Sequence, residues 1–176
     1  MNKSVQFITR TAILLALTVL FQSLRVLIPI PANISQYVIG SLVNLSLIVA
    51  AVIIGIKGGL IIAIIAPILA FIQGFAPPFP IMIVLIMLSN VVLVVAVALL
   101  YKKSPVLAVG LGAVLKFIAL FIGVVNIAVP FLLINAPEKV KATLSVQFSW
   151  PQLVTAAIGG ILALGILTLV MKAIKE

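Results

Sequence analysis

The stretch Pro105-Val-Leu-Ala-Val-Gly-Leu-Gly-Ala-Val-Leu-Lys116-Phe-Ile-Ala-Leu-Phe-Ile-Gly-Val-Val125-Asn-Ile-Ala-Val-Pro-Phe131 decides the fold. It is long and apolar enough to cross a bilayer, yet a single charge, Lys116, sits near its middle. At 1.5 Å per residue Lys116 lies about 16 Å in from Pro105, close to the centre of a hydrocarbon slab about 30 Å thick. Snorkelling from that depth is difficult, and an ammonium there costs several kcal/mol, roughly, unless it meets water, a counter-charge or acceptors. The chain holds only two acids, Glu138 in a loop and Glu176 at the C-terminus, so no carboxylate from a membrane segment can pair with Lys116. A ligand anion could. The alternative is a watery seam, or solvation by carbonyls and amides with no ligand role.

The totals point the same way. Of 176 residues 65% are hydrophobic and 7% charged, and the mean hydropathy is +1.52, the profile of an integral membrane protein with little chain outside the bilayer. These residues leave no room for a nucleotide-binding or soluble catalytic domain. A net charge of +9 could signal nucleic acid in a soluble chain, but here the cations sit at the ends of apolar spans, where they set orientation, and no nucleic-acid partner is expected. Cysteine and histidine are absent, which excludes disulfides, thiolate chemistry, imidazole metal sites and histidine acid–base catalysis. No metal or cofactor is expected. Met1-Asn-Lys-Ser-Val-Gln-Phe-Ile-Thr-Arg10 leads into a span without a small-residue cleavage site, so the first helix is expected to be permanent.

Six spans follow from cations, prolines and glycine pairs: about 7–28, 36–56, 59–75, 80–101, 105–131 and 149–173. The third is expected to be short or broken, because Gly58-Gly59 opens it, Pro67 interrupts it and Gln73-Gly-Phe-Ala-Pro-Pro-Phe-Pro80 ends it. Lys3, Arg10, Lys57, Lys102, Lys103, Lys172 and Lys175 fall on one side and Arg25, Lys139 and Lys141 on the other. That imbalance places both termini in the cytoplasm. No internal repeat relates the halves, so the reading is one domain, residues 1–176: an all-α integral membrane six-helix bundle, multi-pass in the cell membrane.

Sorted by depth, the polar residues divide unevenly. Gln36, Asn44, Gln73, Asn90, Asn126, Asn135, Gln147, Ser149, Trp150 and Gln152 lie between the outer surface and the midplane, while the inner halves of the spans are nearly bare of amides. Such side chains must bond across helices or line a cavity. The second option predicts a pocket open to the outside above an apolar floor. Inner loops are minimal, Ile56-Lys-Gly58 and Tyr101-Lys-Lys-Ser-Pro105, whereas outer ones are longer and proline-rich: Pro29 to Ser35, Ala76 to Pro80 and Leu132 to Phe148. The last is the best lid candidate. In the first span Ala12 and Ala16 stack on one helix face, a small-xxx-small strip that lets another helix approach closely; Ala156, Gly159, Gly160, Ala163 and Gly165 make a second strip, assigned to internal packing.

At this point the chain resembles a family. Six short spans, an Ala-xxx-Ala just after Arg10, and outward-facing amides resemble the substrate-binding S components of energy-coupling factor (ECF) vitamin transporters. Ile39-Gly-Ser-Leu-Val-Asn44 and Phe148-Ser-Trp-Pro-Gln-Leu-Val-Thr-Ala-Ala-Ile-Gly-Gly160 look like segments shared by one large subgroup of S components. The resemblance implies a protein that captures a micronutrient at the outer surface, docks on a transmembrane coupling subunit and topples in the bilayer, with two ATPase subunits powering the cycle. Ala12 and Ala16 match the family's docking motif. Asn44, Gln73, Asn90, Lys116, Asn126, Trp150 and Gln152 are carried over by placement as substrate-binding residues.

An unpaired Lys116 would suit an anionic ligand, and a charge-assisted bond to a carboxylate is worth more than a neutral one. Pantothenate, with one carboxylate, one amide and two hydroxyls, fits this inventory; cobalamin, with its peripheral amides, ranks second. Three rival classes differ in what they require. A self-sufficient secondary transporter or channel would need a polar route to both faces, and a structural membrane subunit would bind no small molecule. An intramembrane enzyme would need more than one lysine.

Overall fold

A computed structural model describes residues 2–27 and 31–175. Pro29 and Ile30 of the first outer connection, and Glu176, lie outside the described residues. The described chain is helical: α1 (Lys3–Leu27), α2 (Ala32–Ile53), α3 (Ile56–Ile72), α4 (Pro80–Leu100), α5 (Pro105–Leu120), a π-helical continuation (Phe121–Leu132), α6 (Glu138–Gln147) and α7 (Trp150–Lys175). This is a membrane helical bundle. Among the described residues five helical stretches are long and apolar enough to cross a bilayer, and α3, with 17 residues, is the short one.

Local chemistry sets the boundaries. Pro80 and Pro105 open α4 and α5, where a missing N–H is harmless, and Ser104 caps α5 by accepting from the Leu107 N–H at 3.3 Å. The turn between α2 and α3 falls at Gly55, with φ +88°, one residue before the expected Ile56-Lys-Gly58 connection; Gly74 past the end of α3 has φ +75°. Pro67 does not break α3. It is buried inside a continuous helix. The expected loop from Leu132 to Phe148 is also corrected, since its centre is α6. Pro137 precedes that helix, Lys141 pairs with Glu138 at 2.8 Å, and Leu144 and Phe148 turn inward.

Apolar packing falls into two clusters. One gathers Leu47, Ile48, Ile62, Leu93, Val97 and Leu167 at the end of the bundle where α2 and α4 finish. The other gathers Met82, Leu120, Val124, Leu133, Leu144 and Phe148 beneath α6. Between them lies the polar site. Ile8, Ile13, Leu99, Val106, Ile161 and Leu169 are exposed on the outside of the helices, where acyl chains replace water and leave them no penalty.

Helix α7 reaches α2 and α5 closely through glycine. A Cβ on Gly159 would stand 2.5 Å from the Ser41 carbonyl oxygen and 2.7 Å from Asn44 Cβ, and one on Gly160 would stand 2.1 Å from Val109 Cγ1, whereas one on Gly165 would meet open space. Backbone cannot retreat as a side-chain tip can. We therefore expect Gly159→Ala to destabilise by about 1–3 kcal/mol, the usual range for overpacking. Gly165→Ala should match or exceed wild-type stability, and thermal melting of the purified variants in detergent checks both.

Candidate functional site

Lys116 projects from α5 into the bundle and is 5% exposed. Its ammonium donates to Asn44 Oδ1 on α2 at 2.5 Å and to Asn90 Oδ1 on α4 at 2.7 Å. One cation thus ties three helices together. Two amide oxygens solvate the charge without neutralising it, since an asparagine carries a dipole and no net charge. An ammonium has three protons, and these bonds use two of them.

The network continues upward. Asn44 Nδ2 donates to Thr155 Oγ1 at 3.4 Å, and the Thr155 hydroxyl donates to the Gln152 carbonyl at 3.0 Å. Gln152 Nε2 and Gln36 Nε2 both donate to the Gln147 carbonyl, at 3.0 and 2.9 Å. That oxygen belongs to the last residue of α6, where a helix leaves carbonyls unsatisfied. The amide chain therefore runs from Lys116 to the helix that covers this end.

Beside this chain opens a cavity of about 330 Å³. Lys116, Asn44, Asn90, Thr155 and Gln152 line it, with Gln36 and Gln147 nearer α6, Gln22 and Arg25 from α1, and Phe75 and Phe148 supplying apolar faces. Every formal charge in that lining is positive: Lys116 and Arg25. The arrangement can hold and orient a small anion. It offers no nucleophile paired with a base.

Of the residues expected to contact substrate, Asn44, Asn90, Lys116 and Gln152 converge on the cavity, and Gln73, Asn126 and Trp150 do not line it. Gln73 lies past the end of α3, exposed, and its amide donates to Ser23 Oγ at 3.4 Å. Asn126 occupies the exposed side of the π-helical segment, whose buried positions are Gly123, Val124 and Ala128. Trp150 is 58% exposed and packs on Tyr37, with ring centroids 6.0 Å apart. Gln22 and Arg25 were missed as site residues because the first span was assigned to docking, with Arg25 read only as an outer-side cation. A signal existed: Thr11, Thr18 and Gln22 recur at helical spacing and are the buried residues of α1.

Residues 6–171 match the family model for the ECF transporter, substrate-specific component. The chain belongs to that family. No curated protein and no solved structure matches it. This S component is therefore a substrate-binding transporter subunit, not an enzyme, and a multi-pass protein of the cell membrane that works with an ECF module on a small-molecule substrate. Ala12 and Ala16 are exposed on α1.

Removing one acceptor from a buried ammonium should be felt. In this S component Asn90→Leu is expected to lose about 1.5–3 kcal/mol, the value of a hydrogen bond to a charged group, and Lys116→Met added to it should recover stability. Melting curves of wild type, both single variants and the double variant check the cycle.

Proposed function

We propose that this S component captures pantothenate from the outer side of the membrane. The observation that carries the reading is Lys116 at the deep wall of a 330 Å³ cavity whose lining contains amides, two cations and no acid. The pantothenate carboxylate would take the free side of the ammonium, and its amide and hydroxyls would meet the carboxamides of Asn90 and Gln152. Asn44 would act mainly by holding Lys116 in place. Pantothenate, with a single carboxylate for Lys116, is the better match to this lining than cobalamin.

The remaining steps follow from the same reading. Both termini lie in the cytoplasm, α6 covers the outer mouth, and the apolar cluster around Leu47, Leu93 and Leu167 closes the route below. A closed floor requires the whole subunit to turn for release. Ala12 and Ala16 supply a smooth exposed face on α1 for the coupling subunit, while two ATPase subunits provide the energy.

Lys116→Ala is expected to weaken pantothenate binding more than tenfold in calorimetry with the protein still folded; unchanged affinity would remove the anion argument. Ala12→Trp should abolish uptake into cells and leave binding by purified protein intact, and retained uptake would remove the docking role. Mass spectrometry of small molecules released from the unheated purified protein tests the vitamin's identity directly.

A further inference from the structure

Helix α1 contributes a buried glutamine to the cavity wall. Gln22 is 7% exposed, and its Nε2 donates to the Ala66 carbonyl of α3 at 3.3 Å. Because that partner can only accept, the nitrogen end of the carboxamide is fixed toward α3. Its Oε1 is buried and has no hydrogen-bond partner among the described residues. A buried acceptor left without a donor is costly, and such groups are rare in folded proteins. Gln22 lines the same cavity as Lys116, from a different helix. Counted from the Gly55 turn, Asn44, which holds Lys116, stands eleven residues back along α2, and Ala66, which holds Gln22, stands eleven residues on along α3. At 1.5 Å per residue both lie about 16 Å from that turn, so the two groups face the cavity at similar depth from different helices.

We propose that Gln22 Oε1 is a hydrogen-bond subsite for a donor group of the substrate, an O–H or N–H separate from the anionic group that Lys116 receives. It rests on and deepens the reading of this cavity as the substrate site, and it defines the substrate class: a small carboxylate that also carries a hydrogen-bond donor. Carboxylates of similar size that lack such a donor leave the Gln22 oxygen unpaired and are rejected. Specificity of this kind comes from the unpaired group in the wrong complex as much as from the bond in the right one.

The test titrates the purified 176-residue protein in lipid nanodiscs with four carboxylates. Pantothenate and biotin carry a distal donor; nicotinate and lipoate do not. One of the first pair should bind at least tenfold more tightly than either of the second. Gln22→Met should lower affinity for that ligand at least tenfold and change nicotinate and lipoate by less than about twofold, the scatter expected of a distant substitution. If biotin is the tight ligand, the pantothenate reading falls, and the Gln22 subsite stands when Gln22→Met weakens biotin and falls when it does not. If pantothenate binds tightly and Gln22→Met leaves it unchanged, the subsite falls and the pantothenate reading stands. Preference for lipoate or nicotinate, or an equal loss for every ligand in the variant, overturns the subsite. Binding of none of the four overturns both. A reading independent of the variant's folding compares pantothenate with its primary-hydroxyl methyl ether on wild type: at least a tenfold loss is expected if pantothenate is the tight ligand, and equal affinity then overturns the subsite.

Discussion

An ammonium placed near the middle of a bilayer has to be solvated by the protein that carries it, and the rest of this structure is arranged around that requirement. Lys116 on α5 draws Asn44 from α2 and Asn90 from α4, so the positions of three helices are set by one charge. Neutral amides were available and carboxylates were not, since the only acids are Glu138 and Glu176. The charge is therefore stabilised but not cancelled. A cavity bounded by that charge stays electropositive, and this links the packing of the bundle to what the bundle can bind.

Apolar packing completes the arrangement by dividing the molecule along its length. The cluster around Leu47, Leu93 and Leu167 fills one end, the cluster around Met82, Val124 and Phe148 supports α6 at the other, and the polar chain from Lys116 to Gln147 runs between them. Small residues make the close approach possible. Gly159 lets α7 sit against the backbone of α2 beside Asn44, and Gly40 faces Thr155 across the same interface. The polar network thus depends on contacts that contain no polar side chain.

Much of this was legible in the sequence, and the reasons are physical. Hydrophobic length and the cation-bearing breaks set the helices to within a few residues, because only long apolar helices satisfy backbone groups in lipid. The depth of Lys116 marked it as central, and the one-sided distribution of amides marked the cavity. Direction was harder to read than depth. Asn126 and Trp150 have suitable heights but face outward, and a π-helical turn cannot be anticipated from spacing that assumes α geometry. Gln73 is spent on Ser23. Gln22 and Arg25 were passed over because α1 has three faces: a polar one toward the bundle, an alanine strip, and an aliphatic face. Only the second was weighed. Helix α6 was hidden because a short amphipathic helix between Pro137 and Phe148 reads in isolation as a polar loop.

The shortness of α3 reaches beyond the protein into the surrounding lipid. Its 17 residues span about 25 Å, less than the roughly 30 Å of hydrocarbon that the neighbouring helices match. Acyl chains along that flank must shorten their reach, at fractions of a kcal/mol per Å of mismatch. A bilayer that matches every helix would be thinner along that flank than around the rest of the molecule. A body embedded in so uneven a collar would be gripped unequally around its circumference.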